Sequence, residues 1–98
     1  MTIRHLVAWT INTDDAADRA AKAAEITKRL KALEGVVPSI ESLSAGAGLV
    51  EGNWDVAIVA DFADLDALEA YNVHPAHQEV VTYVRSVVSA RVAVDFEL

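Results

Sequence analysis

The sequence predicts a single α+β domain whose elements run β-α-β-β-α-β. Three observations carry that expectation. Residues 3–11 alternate and residues 55–62 run apolar, both with the β-branched content of strands. Residues 14–34 repeat their apolar positions at helical spacing. A proline-started helix near residue 75 leads into another alternating strand at the end of the chain.

Each element has a local cause. Ile3, His5, Val7, Trp9 and Ile11 share one face of the first strand, with Arg4, Leu6, Ala8 and Thr10 on the other. Thr13, Asp14 and Asp15 supply capping oxygens and negative charge for a helix over 14–34. Ala20, Ala23, Ile26, Leu30 and Leu33 form its apolar stripe. Lys28, Arg29 and Lys31 suit its C-terminal dipole, and Gly35 suits the position just past its end. Pro38 opens a weaker strand through Ile40 and Leu43, and Gly46, Gly48, Gly52 and Asn53 mark a turn-rich connection. Residues 55–62 form the clearest strand. Asp64 caps a short helix through Tyr71, and Pro75 starts another that runs to about Val88. Arg91 to Leu98 close the chain as a strand with Val92, Val94, Phe96 and Leu98 on one face. This is the split βαβ order of ferredoxin-like folds.

Ninety-eight residues hold one core, so residues 1–98 are read as one domain. There are no cysteines and therefore no disulfides. The longest apolar run falls well short of the roughly 20 residues that span a bilayer. The first residues lack the pattern of a signal peptide, which makes a cytoplasmic location the expectation. Fifteen acidic against 8 basic residues give a formal charge of −7. Such a surface repels phosphates and anionic lipids, so neither nucleic acid nor membrane is an expected partner.

The topology makes a further demand. Right-handed crossovers place both helices on one face of the sheet, and the other face of a monomer would read polar. Leu6, Ala8, Ala57 and Val59 make it apolar instead. With 53% hydrophobic residues in so short a chain, a second copy is the natural cover, and a homodimer is expected. A patch of about 800 Å² per partner would be of ordinary interface size.

The residues that carry chemistry are sparse. On the last helix Val80, Val81, Val84 and Val88 define one arc at about 100° per residue, and His77 falls within it. His77 therefore points inward, toward the face of the first strand that holds His5. Burial disfavours the imidazolium, which suits His77 to act as a neutral base. Tyr71 is placed to donate a hydrogen bond to a developing oxyanion. Each side chain also has a packing reading: His77 and His5 as satisfied core histidines, His74 as a junction residue before Pro75, and Tyr71 as a core aromatic. His74-x-x-His77 has ligand spacing but no clear acidic third ligand, so no metal is expected. Ser39, Ser42 and Ser44 lie in no nucleophile elbow. Gly46-x-Gly48 lacks the further glycine and helix of a phosphate cradle, and no cofactor motif appears.

Ile3-Arg4-His5-Leu6-Val7, Val37-Pro38-Ser39-Ile40, Asp61-Phe62, Leu68-Glu69-Ala70-Tyr71, His74-Pro75-Ala76-His77 and Val94-Asp95-Phe96 occur in this order. Together they resemble the stress-responsive dimeric A/B barrel (Dabb) family across essentially the whole chain. The Tyr-x-x-His-Pro-x-His segment is the most specific part. The resemblance implies a ferredoxin-like dimer whose two antiparallel sheets pack face to face into an α/β barrel, with helices outside. Some members are regarded as stress-response proteins. Others, similar to olivetolic acid cyclase-like polyketide cyclases, close rings by aldol condensation without a cofactor. By that matching His77 takes the general-base position, Tyr71 the assisting hydroxyl and His5 the pocket wall. Val7, Trp9, Ile26, Leu30, Ile58, Val84 and Val88 are the matched lining positions, and His74 is carried as a candidate contact. Departures stand beside these matches, since the first helix is rich in alanine and the pocket has few aromatics.

The functional expectation is a cofactor-independent acid–base enzyme, or a binder, for a carbonyl compound of polyketide type. The alternatives are a non-catalytic stress-response or structural dimer, and a cofactor-free monooxygenase of similar fold. A cavity of about 300 Å³ or more reaching His77 favours a small-molecule site, and a filled one favours the structural alternative.

Overall fold

The computed structural model describes residues 1–98. Its elements are β1 (Ile3–Ile11), α1 (Ala16–Lys31), β2 (Ser42–Ala47), β3 (Val56–Phe62), α2 (Leu65–Val73), α3 (Pro75–Val87) and β4 (Val88–Glu97). The strands form one antiparallel sheet in the order β2-β3-β1-β4, the ferredoxin-like arrangement. The period-2 patterns of β1 and β3 set which side is inside. Ile3, His5, Val7, Trp9 and Ile11 of β1 and Val56, Ile58, Ala60 and Phe62 of β3 are buried, and the residues between them are half-buried. Ala23, Ile26 and Leu30 of α1, Leu68 and Tyr71 of α2, and Val80 and Val84 of α3 close over that face. No helix is long and apolar enough to cross a membrane.

α1 is shorter than the sequence predicts at both ends. It starts at Ala16, because the Asp15 carboxylate accepts from Ala17 N at 2.9 Å. It stops at Lys31 and gives way to tighter turns, with Leu33 N bonding Leu30 O and Val36 N bonding Leu33 O. Leu33 and Val37 stay buried through those turns, so the apolar spacing outlives the helix that it was read from. Gly35, at φ +87°, takes the left-handed conformation that lets the chain reverse there.

β2 corrects the sequence reading most. The strand spans Ser42–Ala47, not Pro38 to Leu43, and Gly46 lies within it, paired with Ala57. Ser-Leu-Ser-Ala-Gly-Ala carries little β signal of its own. The ladder with β3 makes it a strand. β4 begins at Val88 rather than Arg91, directly after α3, with a register irregularity opposite Thr10 and Ile11 that accommodates Ser89.

The second face of the sheet is apolar and open. Val59, Leu6 and Val94 lie side by side across three strands, and so do Ala57, Ala8 and Val92. Val92, Val94 and Phe96 are 44%, 51% and 43% exposed. β4 thus points its apolar side chains away from the core. Arg91, Ala93 and Asp95 lie opposite Trp9, Val7 and His5, on the helix side. One end of the open face is charged: Arg4 and Asp61 form a two-pronged ion pair, with both N···O distances 2.9 Å. That pairing holds the Asp61 carboxyl below its ordinary range, the hydrogen bond from Arg4 being the largest cause.

Ile26 is completely buried between α1 and the sheet, so Ile26→Ala is expected to cost about 2–5 kcal/mol of unfolding free energy. Chemical denaturation measures it, and a loss under about 1 kcal/mol would contradict this placement.

Candidate active site

The break at Pro75 builds the site. His74 is extended (φ −65°, ψ 133°) and serves both as the last cap of α2 and as the first cap of α3, its Nδ1 accepting from Ala76 N at 3.1 Å. Pro75 then takes the first helical position, where it lacks no needed donor. The chain therefore turns between Tyr71, in the last turn of α2, and His77, in the first turn of α3. Their rings face one another with centroids 4.1 Å apart. Tyr71 is fully buried and also packs on Phe62 at 5.1 Å and, edge-on, on His5 at 5.9 Å.

Hydrogen-bond partners orient both imidazoles. His77 Nδ1 lies 3.1 Å from the Asn72 carbonyl, which can only accept. Nδ1 therefore carries the proton, and Nε2 keeps its lone pair. The Gln78 amide donates to the same carbonyl, one of the group left unpaired at the end of α2. His5 Nδ1 is bonded to the Asp95 carboxylate, its cross-strand neighbour.

Burial acts on the two facing side chains in opposite directions. It lowers the His77 pKa below the usual histidine value, against a raising influence from the Asn72 carbonyl, while His5, Arg91 and His74 lower it further. It pushes the Tyr71 phenol up to about 12, with Arg91 opposing. The histidine is thereby a neutral base and the tyrosine a protonated donor at neutral pH.

A cavity of about 520 Å³ opens beside these groups. Its apolar wall holds Val7 and Trp9 of β1, Ile58 of β3, Leu30 of α1, and Val84 and Val88 at the α3–β4 junction. Its polar lining includes His5, Tyr71 and His77. Two candidates from the sequence lie elsewhere. Ile26 is wholly inside the α1 packing, and the ring of His74 is committed to capping α3. Sequence reasoning passed over Asn72, Gln78, Val80, Val81, Arg85, Ser89, Ala90 and Arg91 in the lining, and Asp95 behind His5. Val80 and Val81 could have been found from the α3 arc. Arg91 and Asp95 required the β1–β4 register, which no local pattern supplies. No three His, Cys, Asp or Glu side chains converge on a common point where a metal would sit.

A family model described as "Stress responsive A/B Barrel Domain" (Dabb) matches residues 3–98. No curated protein matches the sequence. Among solved structures, a dimeric ferredoxin-like protein of unknown function from Thermobifida fusca YX is 32% identical, with a TM-score of 0.83 over 100% of this chain and 92% of that one. A hydroxynitrile lyase from Passiflora edulis is 13% identical, with a TM-score of 0.78 over 97% of this chain and 91% of that one. SnoaB, a cofactor-independent oxygenase from Streptomyces nogalater, is 13% identical, with a TM-score of 0.77 over 99% and 92%. At 13% identity the last two share the fold alone.

The lowered His77 pKa carries a sign for stability. Between the ordinary histidine pKa of 6.5 and the lower folded value, the unfolded chain binds the additional proton. This residue therefore makes the protein less stable as pH falls through that window, and it adds no further change below it. NMR titration of the His77 ring is expected to give a midpoint below 6.5, and His77→Gln to remove that part of the pH dependence. A midpoint at or above 6.5 would contradict the burial argument.

Proposed function

The chain belongs to the stress-responsive A/B barrel (Dabb) family, and from that premise we propose a homodimer that binds a small organic carbonyl compound in each cavity and acts on it by acid–base chemistry. One observation carries the chemical reading. A neutral imidazole with a free Nε2 and a protonated phenol stand ring to ring on the wall of a cavity large enough for a substrate.

In the step proposed, Nε2 of His77 removes a proton from the carbon beside the substrate carbonyl and becomes an imidazolium. The electron pair moves onto the carbonyl oxygen, giving an enolate. Tyr71 donates a hydrogen bond to that oxygen without losing its proton, because burial keeps the phenol protonated. The enolate carbon can then attack a second carbonyl of the same chain, the ring-closing aldol step of a polyketide substrate. The resulting alkoxide takes back the proton from His77. Burial weakens His77 as a base but keeps it unprotonated at neutral pH, a compromise that general-base catalysis tolerates. His5, held by Asp95, supports the edge of Tyr71.

Pairing is supported by the uncovered apolar face built from Leu6, Val59, Val92, Val94 and Phe96, and by the dimeric relative from Thermobifida fusca YX. Two such faces placed against each other would form a closed barrel with helices outside.

Two measurements test these readings. With poly-β-keto substrates, His77→Ala is expected to lower turnover by about 10²–10⁴-fold and Tyr71→Phe by about 10²-fold. Unchanged turnover in His77→Ala removes it as the base. Dioxygen uptake in the same assay would favour the oxygenase alternative, given the fold shared with SnoaB. Val94→Asp, in the exposed apolar row of edge strand β4, is expected to convert a dimer to a monomer in sedimentation at micromolar concentration. A wild-type protein that sediments as a monomer there overturns the pairing.

A further inference from the structure

The charge of the cavity runs against that of the chain. Fifteen acidic residues outnumber 8 basic ones in the sequence, yet no Asp or Glu lines the cavity, while Arg85 of α3 and Arg91 of β4 do. The chain's other arginines are occupied: Arg4 pairs with Asp61, Arg19 with Asp55 and Arg29 with Glu25. The side chains of Arg85 and Arg91 enter no ion pair and no hydrogen bond within the chain. Both are exposed, so they stand on the solvent side of a cavity whose deeper wall is Val7, Trp9, Leu30 and Ile58. Arg91 lies opposite Trp9 across the β1–β4 ladder, and its charge reaches both Tyr71 and His77.

We infer that the ligand is an organic carboxylate, its anionic end held by Arg85 and Arg91 and its apolar body seated against Val7, Trp9 and Leu30. Guanidinium groups match a carboxylate in two-pronged geometry, and two unpaired ones on an apolar cavity favour a single small anion. Phosphate is a poorer match, because no glycine stands in the lining to form a phosphate-cradling loop. The surrounding negative surface would discourage anions generally, which leaves this mouth as their local point of entry. This inference rests on the cavity being the small-molecule site, and it adds the class of ligand.

Calorimetric titration of the intact protein with 4-phenylbutyrate and with its neutral amide, 4-phenylbutanamide, tests it. The acid is expected to bind about tenfold or more tightly than the amide. Raised ionic strength is expected to narrow the difference. In the Arg85→Gln/Arg91→Gln double variant the ratio is expected to fall to about one with amide affinity unchanged, which separates loss of charge from loss of fold. Equal affinities in the wild type, or a preference that survives in the double variant, overturn the carboxylate site and leave the cavity reading standing. Failure of both probes to bind overturns the two together.

Discussion

Two crossovers of one hand can roof only one side of a four-stranded sheet, and the organisation of this protein follows from that limit. β1 and β3 must serve two different environments at once. Their Ile3, Val7, Trp9, Ile58 and Phe62 positions meet the helices, while Leu6, Ala8, Ala57 and Val59 have no cover within the chain. β4 sharpens the point. In an isolated protomer an edge strand would turn Val92, Val94 and Phe96 inward and its charges to water. Here the charges Arg91 and Asp95 go to the helix side, where they meet the cavity and His5, and the apolar row goes out. One strand thereby carries polar groups to the cavity and leaves an apolar row without cover.

The same desolvation that stabilises the Tyr71 cluster also sets its acid–base character. Moving an ionisable group out of water disfavours whichever form is charged, so tyrosine holds its proton and histidine gives its own up. No specific partner is needed to move the two in opposite directions. Specificity of orientation comes instead from the Asn72 carbonyl, which fixes the His77 tautomer, and from the extended His74–Pro75 junction, which aims two short helices at one space. A change that merely straightened that junction would separate Tyr71 from His77 while leaving each helix intact.

Arg91 sits where these arguments meet. It is charged, unpaired within the chain and close enough to bias both Tyr71 and His77. An anion bound there would offset its influence on their proton affinities. On that proposal, ligand binding and acid–base poise would be electrostatically coupled.

Local pattern was sufficient wherever a residue's neighbours in sequence are also its neighbours in space. The alternation of β1, the cap at Asp64, the start at Pro75 and the inward direction of His77 are all of that kind. So is the apolar character of both sheet faces, read from Leu6, Ala8, Ala57 and Val59. Pattern failed where pairing with a distant strand decided the outcome. Ser42–Ala47 is a strand because β3 supplies its ladder, and the tight turns after Lys31 bury Leu33 and Val37 as a longer helix would have. Tertiary structure alone brought Asp95 to His5, set Arg91 beside Trp9, committed His74 to a cap and left an open space among the valines of α3. The physical reason is register: periodicity tells a side chain which way to face, but only the pairing of residues some 90 positions apart tells it what it will meet.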